Sequence, residues 1–164
     1  MHYFITLLLL MSTITSNAQD GKASTTKKTF SRTTSISIQI AAEPTTVWAL
    51  LTDAEDFPNW NSTVTALDGT IATGEKIQLK STLAPDRTFK LKVKEMVPNQ
   101  LMVWGDAMGK RTYTLESTDG GTLFTMSEKI GGPLFPLFAG QIPDFDETFE
   151  QFAADLKNAA EAKN

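Results

Sequence analysis

The chain has 164 residues, of which 41% are hydrophobic and 21% are charged, and its formal net charge is −4. This length suits one domain with a sizeable hydrophobic core. The acidic balance, with a pI near 5.0, excludes the broadly basic surface on which nucleic-acid binding depends, so we expect no nucleic-acid partner.

The N-terminal residues have the pattern of a signal peptide. The apolar run Phe4–Met11 is too short to span a bilayer. Polar residues follow it, and Ser16 and Ala18 form a small-x-small cleavage site. Because only His2 and the terminal amine offer positive charge before the run, a buried first strand or a membrane anchor remains an alternative. We expect export to the periplasm or the medium after cleavage near Ala18.

This interpretation divides the chain into three parts. They are a signal peptide at 1–18, a flexible polar tether at 19–28 and one folded domain at 29–162. The mature protein would then contain no integral membrane segment.

The absence of two residue types removes several kinds of chemistry. The sequence contains no Cys, and its one His is His2, inside the presumed signal peptide. The mature chain therefore has no disulfide, no thiolate nucleophile, no zinc site of the usual kind and no histidine-based triad. We expect no metal and no cofactor, and the sequence identifies no catalytic residue.

The sequence of the first part of the domain predicts a strand and two short helices. Apolar and polar residues alternate in Thr29–Ile40, as in a half-buried strand. Pro44 suits the first position of a helix, where its missing N–H costs nothing. Thr52–Glu55 resembles the cap of a second, very short helix. Because Phe57 precedes a proline, we expect that helix to stop there.

The sequence of the remainder of the domain predicts a meander of strands followed by one long helix. The strand segments, separated by turn residues, are Thr63–Leu67, Lys76–Leu83, Phe89–Val97, Leu101–Ala107, Arg111–Glu116 and Leu123–Ile130. A loop then leads to a helix at Asp144–Ala160 with an apolar stripe at helical spacing. This order predicts an α+β fold in which a curved antiparallel sheet wraps around the C-terminal helix. One helix cannot fill such a sheet, so an apolar cavity should remain.

Four sequence stretches carry a resemblance to a known family: VWALLTDAEDFPNWNSTV, MVWGD, GGTLFTMSEKIGG and FAADLKNAAE. Over about Thr29–Ala160 the chain resembles the START-like (SRPBCC) superfamily, in its polyketide cyclase/dehydrase-like branch. The resemblance implies a helix-grip fold around a hydrophobic cavity. It transfers no catalytic residue, because no active-site motif of the family matches.

Register arithmetic gives a candidate polar site. If Thr118–Gly121 is a four-residue hairpin turn, Arg111 faces Glu128 on the neighbouring strand. If Ala107–Lys110 is the preceding turn, Asp106 faces Arg111 as well. The row Asp106–Arg111–Glu128 is then either a polar anchor for a ligand carboxylate, phosphate or carbonyl, or a solvated ion network that contributes little.

The same registers place aromatic and methionine side chains on the inner face, beside this row. The expected cavity lining is Trp60, Met102, Trp104, Tyr113, Met126, Phe145 and Phe149. By contrast, Lys90, Lys92 and Lys94 alternate along one strand and indicate its solvent face.

Three classes of function fit these observations. The first is a protein that binds a small hydrophobic or amphiphilic molecule, such as a lipid or a polyketide-like compound. The second is a cyclase- or dehydrase-type enzyme in which Glu128 or Tyr113 acts as acid or base. The third is a protein-binding module related to the co-chaperone members of the superfamily. The absence of a mature histidine favours binding over catalysis, and the sequence leaves the ligand and the oligomeric state open.

Overall fold

The computed structural model describes residues 21–163, so the predicted signal peptide lies outside the described residues. The strands are β1 Ser24–Lys28, β2 Ser31–Ile40, β3 Val64–Asp68, β4 Lys76–Ser81, β5 Phe89–Val97, β6 Leu101–Gly105, β7 Gly109–Thr118 and β8 Gly121–Gly131. The helices are α1 Pro44–Thr52, α2 Phe57–Trp60, α3 Phe135–Phe138, a 3₁₀ turn at Ala139–Gln141 and α4 Asp146–Glu161. The predicted α+β helix-grip fold is confirmed.

The strands form one antiparallel sheet in the order β1-β2-β8-β7-β6-β5-β4-β3. Neighbours in sequence are neighbours in the sheet, except that β2 pairs with β8. This pairing joins the start of the domain to its end and places Ile36 beside Met126. The concave face carries the apolar side chains, and α4 packs against it.

The chain enters the sheet earlier than the sequence analysis expects. Residues 24–28 form the edge strand β1, paired with β2 in register from Ser24↔Ser35 to Lys28↔Ser31, so the predicted tether is wrong for this part. The strand is polar and is held by hydrogen bonds instead of apolar burial. The hydroxyl of Thr25 lies 2.7 Å from that of Thr34 and donates to Asp146 Oδ1 at 2.6 Å. Residues 19–20 of the proposed tether lie outside the described residues.

The second short helix begins where the sequence analysis expects it to stop. α2 covers Phe57–Trp60, and Pro58 lies in its first turn. A proline is tolerated there because a first-turn N–H has no partner within the helix. The carboxylate of Asp53 accepts a hydrogen bond from Asp56 N at 3.3 Å and closes the turn before it.

Asn61 stabilises the corner after α2. Its Oδ1 accepts hydrogen bonds from Thr63 N (3.0 Å), Thr63 Oγ1 (2.6 Å) and Val64 N (3.1 Å). The corner is buried, so these bonds satisfy backbone groups that water does not reach. They fix the point at which the chain enters β3.

α4 is attached to the sheet by side chains at both of its ends. Glu150 accepts hydrogen bonds from Lys22 Nζ and Ala23 N, both at 3.1 Å. Lys157 donates to Gln39 O at 2.7 Å, and Glu161 accepts from Ala41 N at 2.8 Å. Within residues 21–163, no helix has both the length and the apolar character needed to cross a membrane.

Candidate ligand site

A cavity of about 430 Å³ lies between one half of the concave face and the start of α4. Its walls come from β4, β5, the β6–β7 hairpin and the residues that lead into α4. The apolar part of the wall includes Val64, Leu79, Leu83, Phe89, Leu91, Ile130 and Ile142. Exposed residues at its mouth include Arg87, Asp106, Met108, Gln141 and Pro143. The shape and lining suit a small, mostly apolar molecule.

The structure places three of the seven expected lining residues in the cavity wall, namely Trp104, Phe145 and Phe149. Trp104 is 1% exposed and contributes an aromatic face from β6. Phe145 and Phe149 stack on each other, with ring centroids 6.0 Å apart. Their role in ligand binding stays a prediction.

The other four expected residues do not line the cavity, contrary to the prediction from the strand registers. Met102, Tyr113 and Met126 are at most 1% exposed and lie in the packed core. Trp60 packs against Phe57, at 4.7 Å between ring centroids, and against Phe152, at 5.7 Å. The inner face was assigned correctly, but α4 fills this half of it.

Arg111 and Glu128 form an ion pair in the cavity wall. They are register partners on β7 and β8, as the hairpin arithmetic predicts. Arg111 Nε donates to Glu128 Oε2 at 2.5 Å, and its Nη2 contacts the same oxygen. The two side chains are 21% and 18% exposed, respectively, and both border the cavity.

The environment of Arg111 keeps it charged. Burial alone would lower its pKa, but the adjacent Glu128 carboxylate raises it above its ordinary value. The guanidinium also lies over the Phe149 ring, 5.2 Å from the centroid, a favourable cation–π arrangement. The cavity therefore has a permanent cation in a largely apolar wall.

Tyr113 lies behind this pair. Burial raises the pKa of its hydroxyl to about 12, while the Arg111 guanidinium acts in the opposite direction. The hydroxyl is buried, and no group among residues 21–163 offers it a hydrogen bond of good geometry. A phenol with so high a pKa, outside the cavity wall, is poorly suited to proton transfer to a bound molecule.

Asp106 does not join the ion pair. β6 and β7 pair with Trp104 opposite Arg111 and Gly105 opposite Lys110, two residues from the predicted register. Asp106 Oδ1 instead accepts hydrogen bonds from Met108 N and Gly109 N, both at 2.8 Å. A shift of two residues preserves which side chains face inward, so the predicted row is reduced to Arg111 and Glu128 while the inner face is unchanged.

Two further arginines shape the site and were missed from the sequence. Arg32 donates to Ile142 O at 3.2 Å and to Pro143 O at 2.6 Å, and lies 4.6 Å from the centroid of Phe145. It thereby holds the segment that borders the cavity. Its phase with the inward isoleucines of β2 is a signal that could have identified it. Arg87 lies at the mouth, 4.6 Å from the ring centroid of Phe89.

The site thus combines mostly apolar contact with a fixed cation, a paired carboxylate and a few further polar side chains such as Ser81, Thr148 and Gln141. Within the part of the chain that the structure describes, no cluster of His, Cys, Asp and Glu side chains could hold a metal ion.

Comparison with known proteins gives one family and a set of similar folds. A family model described as polyketide cyclase / dehydrase and lipid transport matches residues 31–161. A comparison with curated protein sequences finds no match.

The similar solved structures include a protein from Mesorhizobium loti, with 20% identity and a TM-score of 0.64 over 81% of this chain and 99% of that one. A protein from Staphylococcus saprophyticus has 19% identity and a TM-score of 0.60 over 79% and 91%. A START superfamily protein from Mycobacterium smegmatis has 18% identity and a TM-score of 0.59 over 80% and 99%. At these identities the likeness concerns the fold.

Proposed function

The chain belongs to the polyketide cyclase / dehydrase and lipid transport family, and from this premise we propose that it binds a small hydrophobic or amphiphilic molecule between the sheet and α4. One observation carries the proposal. A cavity of about 430 Å³ has mostly apolar walls, and the one ion pair found among the described residues that line it, Arg111–Glu128, is partly buried. Apolar surface supplies affinity in such sites, and a few placed polar groups fix orientation.

The ion pair indicates what the polar end of the ligand could be. The hydrogen bond from Arg111 Nε and the ion-pair contact of its Nη2 both use the same carboxylate oxygen of Glu128. A guanidinium has five N–H donors, so Arg111 retains donor capacity toward the cavity. A ligand carboxylate, phosphate or carbonyl would use it.

The test is a titration of fatty acids, sterols and aromatic polyketide-like compounds into the wild-type protein and Arg111→Met. Trp104 borders the cavity, so its fluorescence should report occupancy. We expect acidic compounds to bind about 1.5–3 kcal/mol more weakly to Arg111→Met, the range for a hydrogen bond to a charged group. Neutral compounds should be unaffected.

Arg87→Met is the matched control, because it removes an exposed cation from the mouth. Equal loss in both variants would indicate general attraction instead of an anchor. Equal affinity of all compounds for the wild-type protein and Arg111→Met would leave a purely apolar site. No binding of any compound, together with native mass spectrometry of protein from its own host showing no carried molecule, would reject the binding function.

The enzymatic alternative has less support. Tyr113 lies outside the cavity wall with a pKa near 12, and Glu128 is held by Arg111. Of the two acid–base candidates, Glu128 is the one that borders the cavity. Turnover of a polyketide-like substrate that is lost in Glu128→Gln, with binding retained, would establish that alternative.

Export is a separate part of the proposal. It is supported by the apolar run Phe4–Met11 and the small residues before Gln19. Intact-mass measurement of protein from the cell envelope or medium should give a chain that begins at Gln19. A chain that retains residues 1–18 would contradict cleavage.

A further inference from the structure

Most of the large apolar side chains that remain exposed lie at one end of the sheet. Among residues 21–163, five such side chains are exposed, and four of them are Phe30, Met108, Leu134 and Leu137, at 47–77%. They lie in the β1–β2 turn, in the β6–β7 turn and in the segment after β8. The fifth, Val97, is at the β5–β6 turn, which an antiparallel meander places at the opposite end. We call the group of four the apolar edge.

Backbone hydrogen bonds join the three chain segments to which the residues of the apolar edge belong. Gly131 N donates to Met108 O, and Gly132 N donates to Phe30 O, both at 3.0 Å. The β1–β2 turn, the β6–β7 turn and the end of β8 are therefore parts of one surface. Burying a large apolar side chain contributes about 1.5–3 kcal/mol, so this surface favours a partner that removes it from water.

Positive charge lies beside Phe30 and Met108 of the apolar edge. A surface concavity of about 420 Å³ is lined by Phe30 and Met108 together with Lys94, Lys110 and Lys129. Asp106 is the one acidic residue among its lining residues, and its carboxylate already accepts two backbone hydrogen bonds.

The lysines of this concavity lack acidic partners. Lys110 lies directly opposite Lys129 in the sheet, an unfavourable arrangement of like charges. Lys94 donates to a carbonyl, Asp106 O. None of the three forms an ion pair within residues 21–163. A chain with a net charge of −4 thus concentrates unpaired positive charge beside its exposed apolar side chains.

We propose that this end of the sheet docks onto a bilayer surface that contains anionic phospholipid. Leu134, Leu137, Phe30 and Met108 would enter the interface, and the lysines would contact the headgroup phosphates. Lysine-flanked apolar side chains match that surface, which is negative outside and apolar beneath. A second copy fits less well, because symmetric pairing would bring the lysines of both copies together.

The docked orientation would place the cavity mouth at the membrane. Met108 belongs both to the apolar edge and to the cavity lining, and Leu137 adjoins Phe138, another lining residue. A hydrophobic molecule could then pass between bilayer and cavity with little exposure to water. Docking itself does not depend on what the cavity binds, so the two proposals can fail separately.

The first test measures flotation of the purified chain with vesicles of phosphatidylcholine alone or mixed with phosphatidylglycerol. We expect binding to the mixed vesicles that weakens with added salt. The double variant Lys110→Gln/Lys129→Gln should bind about 25-fold more weakly, from about fivefold per lysine near an anionic surface. Lys22→Gln/Lys163→Gln removes the same charge elsewhere and should not change binding.

The second test removes the apolar contacts. Leu134→Ser/Leu137→Ser should lower vesicle binding more than tenfold, whereas Val97→Ser at the opposite end should not. All variants share the same N-terminal residues, so differences between them report the docking surface.

Several results would overturn the docking proposal. The first is a wild-type protein that does not bind vesicles. The second is equal vesicle binding by the test variants and their control variants, and the third is equal binding to vesicles with and without phosphatidylglycerol. Concentration-dependent dimerisation that the leucine variant abolishes would assign the surface to a second copy instead. Vesicle binding without any cavity ligand would reject the proposed function and retain docking.

Discussion

The two halves of the concave sheet face meet α4 in different ways. Toward the C-terminal end of α4, Phe152, Leu156 and Ala160 are at most 2% exposed and pack into the core. At the start of the helix, Thr148 and Phe149 border an open cavity. The space between α4 and the sheet is thus filled with side chains near Phe152 and open near Phe149. We call these two regions the solid half and the hollow half. The solid half supplies stability that the hollow half does not have to provide, which allows a binding site to remain open.

Aromatic packing marks the solid half. The Phe152 ring lies 5.7–6.4 Å, between centroids, from Phe57, Trp60, Tyr113 and Phe124. Phe149, one helical turn earlier, has Phe145 on one side and the Arg111 guanidinium on another. Because cavity walls lack packing partners on one side, each half should respond differently to the same truncation.

The largest expected effect is therefore the loss of Phe152. Phe152→Ala should lower the free energy of unfolding by about 3–5 kcal/mol, the range for a phenylalanine deleted from a packed core. Phe149→Ala should cost at least about 1 kcal/mol less, since fewer contacts are lost. Urea denaturation measures both. Equal costs would mean that the two halves are packed alike.

The division between the halves also explains what the sequence could predict. The alternation of apolar and polar residues in the strands and the phenylalanine spacing in α4 were sufficient to predict the order of the elements and the inner face of the sheet. The β7–β8 register followed from one Asp-Gly-Gly turn. The extent of the cavity did not follow, because it depends on how far the start of α4 stands from the sheet. Tertiary contacts such as Arg32 with Ile142 and Pro143 fix that position.

Local chemistry accounts for the other differences. The β6–β7 register differs from the predicted one by two residues because the Asp106 side chain closes the turn over Met108 and Gly109. A Cβ on Gly105 would lie 2.2 Å from Gly109 O, so this tight turn also requires glycine there.

Two Phe-Pro pairs, at Phe57 and Phe135, begin single-turn helices. The predicted helix was ended at Phe57 because the restraint before proline was weighed more heavily than the tolerance for proline in a first turn. Phe135 was predicted as part of the loop before the last helix.

The next effect concerns the ion pair in the hollow half. Arg111→Met should lower the free energy of unfolding by about 2 kcal/mol, because it leaves the Glu128 carboxylate in a partly buried wall without its cation. The double variant Arg111→Met/Glu128→Met should be at least about 1 kcal/mol more stable than Arg111→Met, since the unpaired charge is then gone. Additive losses in this double-mutant cycle would show that the pair behaves like an exposed one.

Filling the cavity should separate binding from stability. Thr148→Phe adds a ring to the first turn of α4 on the side that borders the cavity. We expect the affinity for an apolar fluorescent probe such as anilinonaphthalene sulfonate to fall more than tenfold, with a stability change below about 1 kcal/mol because empty space accepts the ring. Gln151→Phe, at an exposed position in the next turn, is the control. Unchanged probe binding by Thr148→Phe would place the probe elsewhere.

The smallest effect is expected at Tyr113, which lies on the boundary between the halves. Its ring contacts Trp104 and Phe152, at 5.1 and 5.9 Å between centroids, and its buried hydroxyl lacks a hydrogen bond of good geometry within residues 21–163. Tyr113→Phe should therefore leave the free energy of unfolding at neutral pH unchanged or raise it by up to about 1 kcal/mol, because a desolvated hydroxyl is removed without losing the ring.

The pH dependence gives this prediction a second readout. Burial raises the pKa of Tyr113 from 10.0 to about 12 in the folded protein, so the fold favours the neutral phenol. That contribution is fully present below pH 10 and is lost as the pH rises from 10 through 12. The wild-type protein should lose stability across this interval more steeply than Tyr113→Phe, by denaturation at fixed pH values. A variant clearly less stable than the wild type at neutral pH would show that the hydroxyl bonds to Arg111 and belongs to the hollow half.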